Sequence, residues 1–253
     1  MSYVSGELFH FNGYGKPSDH DRNYHTLKLI LKQGCISSPP HLKGWGEISI
    51  TSDGDRSILG ELEGEGMINP SMVCFADIPP KYLGIHCRKY GYCGISLKRE
   101  FLVKYGARPV AYVPVDGDLS FSNWGCRYLR NLESAFRVLD EWEDELEKDN
   151  EPKSISISHR PETIDERVAL VKTALKKDTL SFLKPFRSEL PDDHIDNFYM
   201  EREWRMLGNA YFAKEIGAVE HVCVPGEYVE DLGQEFPDYK DRIVDTFKLI
   251  DSN

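Results

Sequence analysis

Long apolar runs are missing from this sequence of 253 residues. No stretch approaches the about 20 consecutive apolar residues that a membrane-spanning helix needs. The first residues, MSYVSGELFHFNGYG, have neither the basic segment nor the apolar core of a secretory signal. We therefore predict a cytoplasmic protein that does not enter the membrane.

Sequence patterns that bind metals or nucleotides are missing as well. The six cysteines include no closely spaced pairs of the zinc-finger type, and they do not reach the density of secreted disulfide-rich proteins. No glycine pattern matches a Rossmann or phosphate-loop site. The sequence therefore predicts no metal site, and a nucleotide, if one binds, must be held in another way.

Positive charge is scarce, since 31 basic residues stand against 42 acidic ones and the formal net charge is −11. This balance excludes a broad electrostatic footprint for nucleic acid. Basic residues do cluster locally, at Arg88, Lys89, Lys98, Arg99, Lys104 and Arg108. That cluster would suit an RNA or DNA acceptor strand, and a solvated helix face is the alternative.

The periodicity of the chain predicts an α+β fold. Strands are expected at 6–12, 71–80, 92–97, 108–115 and 220–226, and helices at 22–34, 80–88, 98–104, 127–148 and 164–177. Residues 37–70, rich in Gly, Pro, Ser and Asp, predict a flexible loop. We expect a single domain, 1–253, with a helical insertion at about 127–180.

The predicted helix at 127–148 has an apolar stripe whose expected role is core packing. Its members recur at helical spacing and are Leu129, Leu132, Phe136, Leu139, Trp142 and Leu146.

The stretch NFYMEREWRMLGN, residues 197–209, alternates charged and apolar residues. In a strand this alternation would place Glu201, Glu203 and Arg205 on one face and Trp204 on the other. Two interpretations stay open. The charges line a cleft, which predicts that 202–207 is an interior strand facing His10 and Phe75, or they protect a sheet edge from pairing.

One chemistry that needs such carboxylates is cleavage of the nicotinamide–ribose bond of NAD. Carbon C1′ becomes oxocarbenium-like as nicotinamide leaves, and a fixed carboxylate stabilises that charge. A second carboxylate could orient or deprotonate the nucleophile. A histidine on an early strand would hold the adenosine side, and aromatic rings would stack on nicotinamide. His10 also fits a buried core histidine, which is the alternative for that residue.

Three segments together resemble the AbiGi-type abortive-infection proteins of bacterial phage defence. They are LFHF at 8–11, MVCFADIPPKYLGIHCRKYGYCGISLKREFLVKYGARPVAYV at 72–113, and EREWR at 201–205. Within them, the family's "CF-x-D-I-P", "H-x-x-x-YG-x-x-G" and "E-x-EWR" patterns follow in order. The layout of the three segments is also similar to that of ADP-ribosyltransferases, which implies an ADP-ribosyltransferase-like split β-sheet.

The resemblance implies a role for each matching residue. Glu203 would be catalytic with Glu201 as its partner, and NAD would be the substrate. The implied NAD-binding residues are His10, Phe11, Phe75, Tyr90 and Arg22.

The function expected from these roles is that of an NAD-dependent ADP-ribosyltransferase toxin in a toxin–antitoxin phage-defence system. Such a toxin would modify a nucleic acid or a protein, and its partner would be a cognate antitoxin. The alternative function is a non-catalytic antitoxin that keeps the fold and binds a partner toxin through its helical insertion.

Overall fold

The computed structural model describes residues 5–37, 72–115, 124–147 and 163–251. The chain divides into two compact units. The first comprises Met1–Gly46, Ser71–Val110 and Leu190–Asn253, and the second comprises Glu47–Pro70 and Ala111–Glu189. The single domain expected from the sequence stays a prediction. The loop expected at 37–70 lies, apart from its first residue, outside the described residues.

The α+β class expected from the sequence is confirmed. The strands are β1 Glu7–Phe11, β2 Cys35–Ile36, β3 Met72–Ala76, β4 Gly94–Lys98, β5 Arg108–Pro109, β6 Ala111–Pro114, β7 Leu183–Phe186, β8 Glu203–Leu207, β9 Ala210–Tyr211, β10 Val219–Val224 and β11 Ile243–Asp245. The helices are α1 His20–Gln33, α2 Leu83–Tyr90, α3 Arg99–Lys104, α4 Trp124–Glu147, α5 Ile164–Ala174, α6 Val229–Glu235 and α7 Thr246–Asp251. No helix among these described segments is long and apolar enough to cross a membrane.

A mixed seven-stranded sheet forms the centre of the first unit. Its strand order is β11-β10-β4-β1-β3-β8-β5, and all neighbours pair antiparallel except β10 and β11. Strands β1, β3 and β8 are therefore adjacent, although β3 and β8 are far apart in sequence. This adjacency brings the three segments that carry the family resemblance into one region of the sheet.

The two faces of this sheet are buried against different helices. Side chains alternate between faces along a strand, so Leu8 of β1 packs with Leu27 of α1 on one side. Phe9 packs on the other side with Leu83 and Cys87 of α2. The apolar run LFHF in β1 thus supplies both cores, which is typical of a central strand.

The second unit has its own small core. Strands β6 and β7 pair in parallel, and Leu129 of α4 packs with Val113 and Leu183. Leu132 is partly buried there, as the apolar stripe of this helix predicts. Trp142 was expected in the core and is 53% exposed, so that part of the prediction is wrong.

Helix α1 ends at Gly34, where the nearby residue Ala213 leaves no space for a larger side chain. Gly34 adopts a left-handed conformation with φ of 60°, and its N–H donates to carbonyl groups of the last helical turn. A Cβ atom on Gly34 would clash with the Cβ atom and the backbone of Ala213. The sequence prediction of a helix stop at this residue is confirmed.

Gly34→Ala should therefore lower the free energy of unfolding by more than the about 1–2 kcal/mol of a left-handed non-glycine residue. Gly15→Ala is the control, because Gly15 has φ of 76° but a Cβ atom there would meet nothing within 4 Å. Urea denaturation of both variants measures the difference. Equal losses at the two positions would show that the contact with Ala213 is unimportant.

Candidate functional site

The segment that opens the late strand is a turn followed by a strand, not one continuous strand. Phe198–Glu201 forms a 3-10 turn, and β8 begins at Glu203. Between them Arg202 has φ of 45° and ψ of 52°, in the left-handed region. The expectation that Glu201 and Glu203 share one face of a strand is therefore wrong, because Glu201 lies in the turn.

Strand β8 lies inside the sheet, as the cleft interpretation of its charges predicts. It pairs with β3 on one side and β5 on the other. The alternative of a charged, unpaired sheet edge is therefore excluded. Trp204 is partly buried against the core that contains Phe75.

Glu203 and Arg205 form a buried ion pair on the opposite face of β8 from Trp204. The Arg205 Nε–H group donates to Glu203 Oε1 at 2.7 Å, and both side chains are buried. Positions i and i+2 of a strand lie on one face, which allows this short contact. The pair therefore fixes both side chains in one position beneath the strand.

Glu201 is held by two residues from the end of α2. The Tyr90 hydroxyl donates to Glu201 Oε1 at 2.9 Å, and Lys89 Nζ lies 3.4 Å from the same oxygen. Lys89 Nζ also lies 4.0 Å from the centre of the Phe198 ring. This cation–π contact with Phe198 further stabilises the turn.

Arg202 makes a third ion pair at the same place. Its Nη2 group donates to Asp77 Oδ2 at 3.0 Å, and its carbonyl accepts from the Asp77 backbone N–H at 3.3 Å. Three consecutive residues, Glu201, Arg202 and Glu203, are therefore each paired with an opposite charge. We call the segment that contains these three residues and the preceding 3-10 turn, residues 198–203, the ion-paired turn.

The structure does not bring His10 and Glu203 into one cleft. Phe9 pairs with Ala76, and Ala76 pairs with Glu203, so these three share one face of the sheet. His10 lies on the other face, edge to face with the Phe75 ring at 6.0 Å between centroids. The expected cleft shared by Glu203 and His10 is not formed.

His10 interacts with the backbone of a neighbouring strand. Its Nδ1–H group donates to the Cys74 carbonyl at 2.9 Å. Burial lowers the pKa of His10, and this hydrogen bond raises it only in part. A neutral imidazole bound to the main chain matches the alternative of a core histidine.

The other residues expected to bind NAD are also divided between the two faces. Phe11 stacks on Phe9, so it lies on the Glu203 side, where Tyr90 of α2 also lies. Arg22 is exposed on α1, the helix that packs on the His10 side. The NAD-binding and catalytic roles of these residues stay predictions. The described residues include no group of three metal-ligating side chains.

Three lysines of the local basic cluster lie close to carboxylates. Lys89 pairs with Glu201 at 3.4 Å, as described above. Lys98 Nζ lies 3.4 Å from Glu220 Oε1, and Lys104 Nζ lies 3.2 Å from Glu215 Oε1. Each pair removes positive charge that a phosphate would otherwise use. An RNA or DNA acceptor stays a prediction that these contacts do not favour.

A second polar cluster joins β1, β4 and β10 on the Glu203 face. His221 Nδ1–H donates to Glu7 Oε2 at 2.7 Å, and the Ser96 hydroxyl donates to the same oxygen. Ser96 is fully buried, and Ser96 and His221 both bind the same oxygen of Glu7. His221 Nδ1 also lies 3.4 Å from the Ser96 hydroxyl oxygen, but both groups donate to Glu7, whereas in a hydrolase triad the histidine receives the serine proton.

Sequence reasoning did not identify the partners of these charged side chains. Asp77 and Arg202 are 125 positions apart, and Lys89 and Glu201 are 112 positions apart. The aspartate directly after a buried strand and before two prolines was the one available signal, because such a position lies at the rim of a sheet.

Removing one partner of the Glu203–Arg205 pair should destabilise the fold strongly. Arg205→Met takes the closest cation from a buried carboxylate, which costs about 3–5 kcal/mol in comparable pairs. The double variant Glu203→Leu/Arg205→Met should lose less than either single variant, since neither charge remains. Chemical denaturation measures all three. Lys104→Met, at an exposed pair, is the control with little expected change. Additive losses in the double variant would contradict a coupled pair.

The Glu7–His221 contact should make stability depend on pH. The hydrogen bond to Glu7 raises the pKa of His221 above its ordinary value, more than partial burial lowers it. The pair therefore stabilises the fold fully below about pH 6.5, the unfolded pKa, and this contribution is lost as pH rises through the folded pKa.

The measurement is the difference in unfolding free energy between the wild type and His221→Gln at several pH values. This difference should be largest near pH 6 and should shrink as pH rises. His25→Gln, at an exposed site on α1, is the control. A difference that grows with pH would show the opposite sign and contradict the assignment.

Comparison with known proteins gives one match. A family model described as "Putative abortive phage resistance protein AbiGi, antitoxin" matches residues 66–249. No curated protein and no solved structure matches the chain. The matched region contains Asp77, α2 and the whole ion-paired turn.

The match favours one of the two functions expected from the sequence. Its description names an antitoxin, which contradicts the expected ADP-ribosyltransferase toxin and favours the non-catalytic alternative. Abortive infection and a toxin–antitoxin context are supported. The resemblance seen in the sequence is confirmed, and because the model covers most of the chain, this protein belongs to the AbiGi family of abortive phage resistance proteins.

Proposed function

We propose that this protein is a non-catalytic antitoxin that neutralises a cognate toxin by binding it directly. The family description supports the role, and the ion-paired turn supports the absence of catalysis. Glu201 and Glu203 are each engaged by a cation, and the histidine expected to act with them lies on the other face of the sheet. Their contacts stabilise structure and leave no shared cleft for a reaction.

The observation that carries the proposal is an exposed aromatic surface on the ion-paired turn. Tyr199 is 51% exposed and Met200 is 39% exposed, and both lie in the turn itself. Tyr14, 61% exposed, stacks at 5.7 Å on Tyr90, whose hydroxyl binds Glu201. We call Tyr14, Tyr90, Tyr199 and Met200 the tyrosine surface.

This composition is typical of protein interfaces. Tyrosine and methionine are enriched at the buried centres of interfaces and lysine is depleted there. Lys89, next to Tyr90 in the sequence, is directed toward Glu201 and the Phe198 ring. An apolar, aromatic patch is thus exposed while the charge beneath it is neutralised, which lowers the cost of removing water on binding.

We therefore propose that the toxin binds the tyrosine surface. The alternative expected from the sequence favoured the helical insertion instead. The proposal keeps an ADP-ribosyltransferase-like sheet as the scaffold that carries this surface. An enzymatic activity with NAD as substrate stays a prediction from the sequence. An antitoxin that acts by binding needs neither enzymatic activity nor NAD.

Tyr199→Ala should weaken neutralisation of the toxin of the same defence system. Loss of a central tyrosine at an interface lowers affinity by about 30-fold or more. Growth of cells that produce both proteins, and titration of the purified toxin, measure the effect. Tyr211→Ala is the matched control, because Tyr211 is also 51% exposed but lies on β9, beyond the far end of β8.

Two outcomes would contradict the proposal. Growth arrest by this chain when it is produced alone would show that it is not the neutralising partner. Equal neutralisation by the Tyr199→Ala and Tyr211→Ala variants, with both folded as judged by circular dichroism, would move the contact away from the tyrosine surface.

A further inference from the structure

Helix α4 has a second apolar stripe, whose described side chains are exposed. The inner stripe contains Leu129, 1% exposed, and packs in the core of this unit. The outer stripe begins one position earlier, at Tyr128, which is 44% exposed. Val138 is 43% exposed and Trp142 is 53% exposed, so three large apolar side chains face water on one helix.

The outer stripe has the spacing of a coiled-coil seam. Positions 128, 131, 135, 138 and 142 alternate steps of three and four residues, and all five residues are exposed. They are Tyr128, Asn131, Ala135, Val138 and Trp142. The seam is about 21 Å long at 1.5 Å per residue. A surface helix needs one apolar stripe for its own core, so the second stripe points to another helix.

The two aromatic residues at the ends of the seam are equally distant from its centre. Tyr128 and Trp142 are each seven positions from Ala135. Two copies of α4 packed antiparallel about Ala135 would place each Tyr128 against the Trp142 of the other copy. The small side chain of Ala135 at the centre allows the two helix backbones to approach closely.

The charge along α4 fixes the direction of this packing. The part before residue 138 contains three arginines and one glutamate, whereas DEWEDELE at 140–147 contains six acidic residues and no basic one. Antiparallel helices place each acidic end beside the basic end of the partner helix. Parallel helices would place like charges together, which is destabilising.

We infer that a second copy of this chain binds the outer stripe, so that α4 pairs with α4 of the other copy about a two-fold axis at Ala135. The interface is isologous, since each copy contributes the same aromatic and charged residues. It goes beyond the proposed function, because it requires no toxin and lies on the second unit, whereas the tyrosine surface lies on the first.

Sedimentation velocity of the full chain alone, over a range of micromolar concentrations, tests the pairing. The wild type should dimerise with rising concentration, and Trp142→Glu should weaken the dimer by at least about 30-fold. Ile164→Glu is the control with unchanged dimerisation, since Ile164 is 68% exposed at the start of α5, outside the seam. Circular dichroism verifies that each variant is folded.

Salt and a cysteine substitution test the antiparallel arrangement. Added sodium chloride should weaken the dimer, because it screens the attraction between opposite helix ends. A parallel pair would instead become tighter. Ala135→Cys should form a disulfide-linked dimer on mild oxidation. Ile164→Cys, outside the seam, should form no such dimer.

A wild-type chain that stays monomeric at every concentration would overturn the inference. If Trp142→Glu then also abolished neutralisation, the stripe would bind the toxin and not a second copy. Dimerisation is measured without toxin, so its failure leaves the proposed function intact. Conversely, if Tyr199→Ala lost neutralisation but still dimerised, the tyrosine surface would serve toxin binding and the outer stripe would serve dimerisation.

Discussion

The left-handed backbone of Arg202 is the constraint on which the rest of this site depends. A non-glycine residue in that conformation costs about 1–2 kcal/mol, so it persists only where its surroundings hold it. Asp77 holds it through both its backbone N–H and its side chain. The turn before Arg202 and the strand after it therefore have fixed directions, which sets where Glu201 and Glu203 point.

Buried ion pairs are costly to form, because desolvation of two charges offsets much of their attraction. The Glu203–Arg205 pair is buried, and the pairs of Glu201 and Arg202 are partly buried, so stability alone does not explain three ion pairs at consecutive residues. Their best physical explanation is specificity, since only one arrangement of the turn and α2 satisfies Glu201, Arg202 and Glu203 together. A slip of one residue in β8 would leave buried carboxylates without their cations.

Much of the framework could be predicted from the sequence, and the pairings could not. Alternating apolar residues predicted β1 and the interior position of β8, and Gly34 predicted the end of α1. The same alternation failed at Glu201, because a left-handed arginine has no signature in hydrophobic periodicity. In α4, Leu129 and Tyr128 begin two stripes one position apart, and helical spacing alone does not tell which one faces the core.

The charges that resemble a catalytic site in the sequence form ion pairs in the structure. Tyr199 and Met200 lie in the turn whose last residue, Glu201, is held by Tyr90 and Lys89. A surface fixed before binding loses less conformational entropy when a partner arrives, so rigid tyrosines bind more tightly than mobile ones. In the proposed antitoxin, the ion pairs preorganise the surface above them, so these carboxylates serve binding through the structure that they fix.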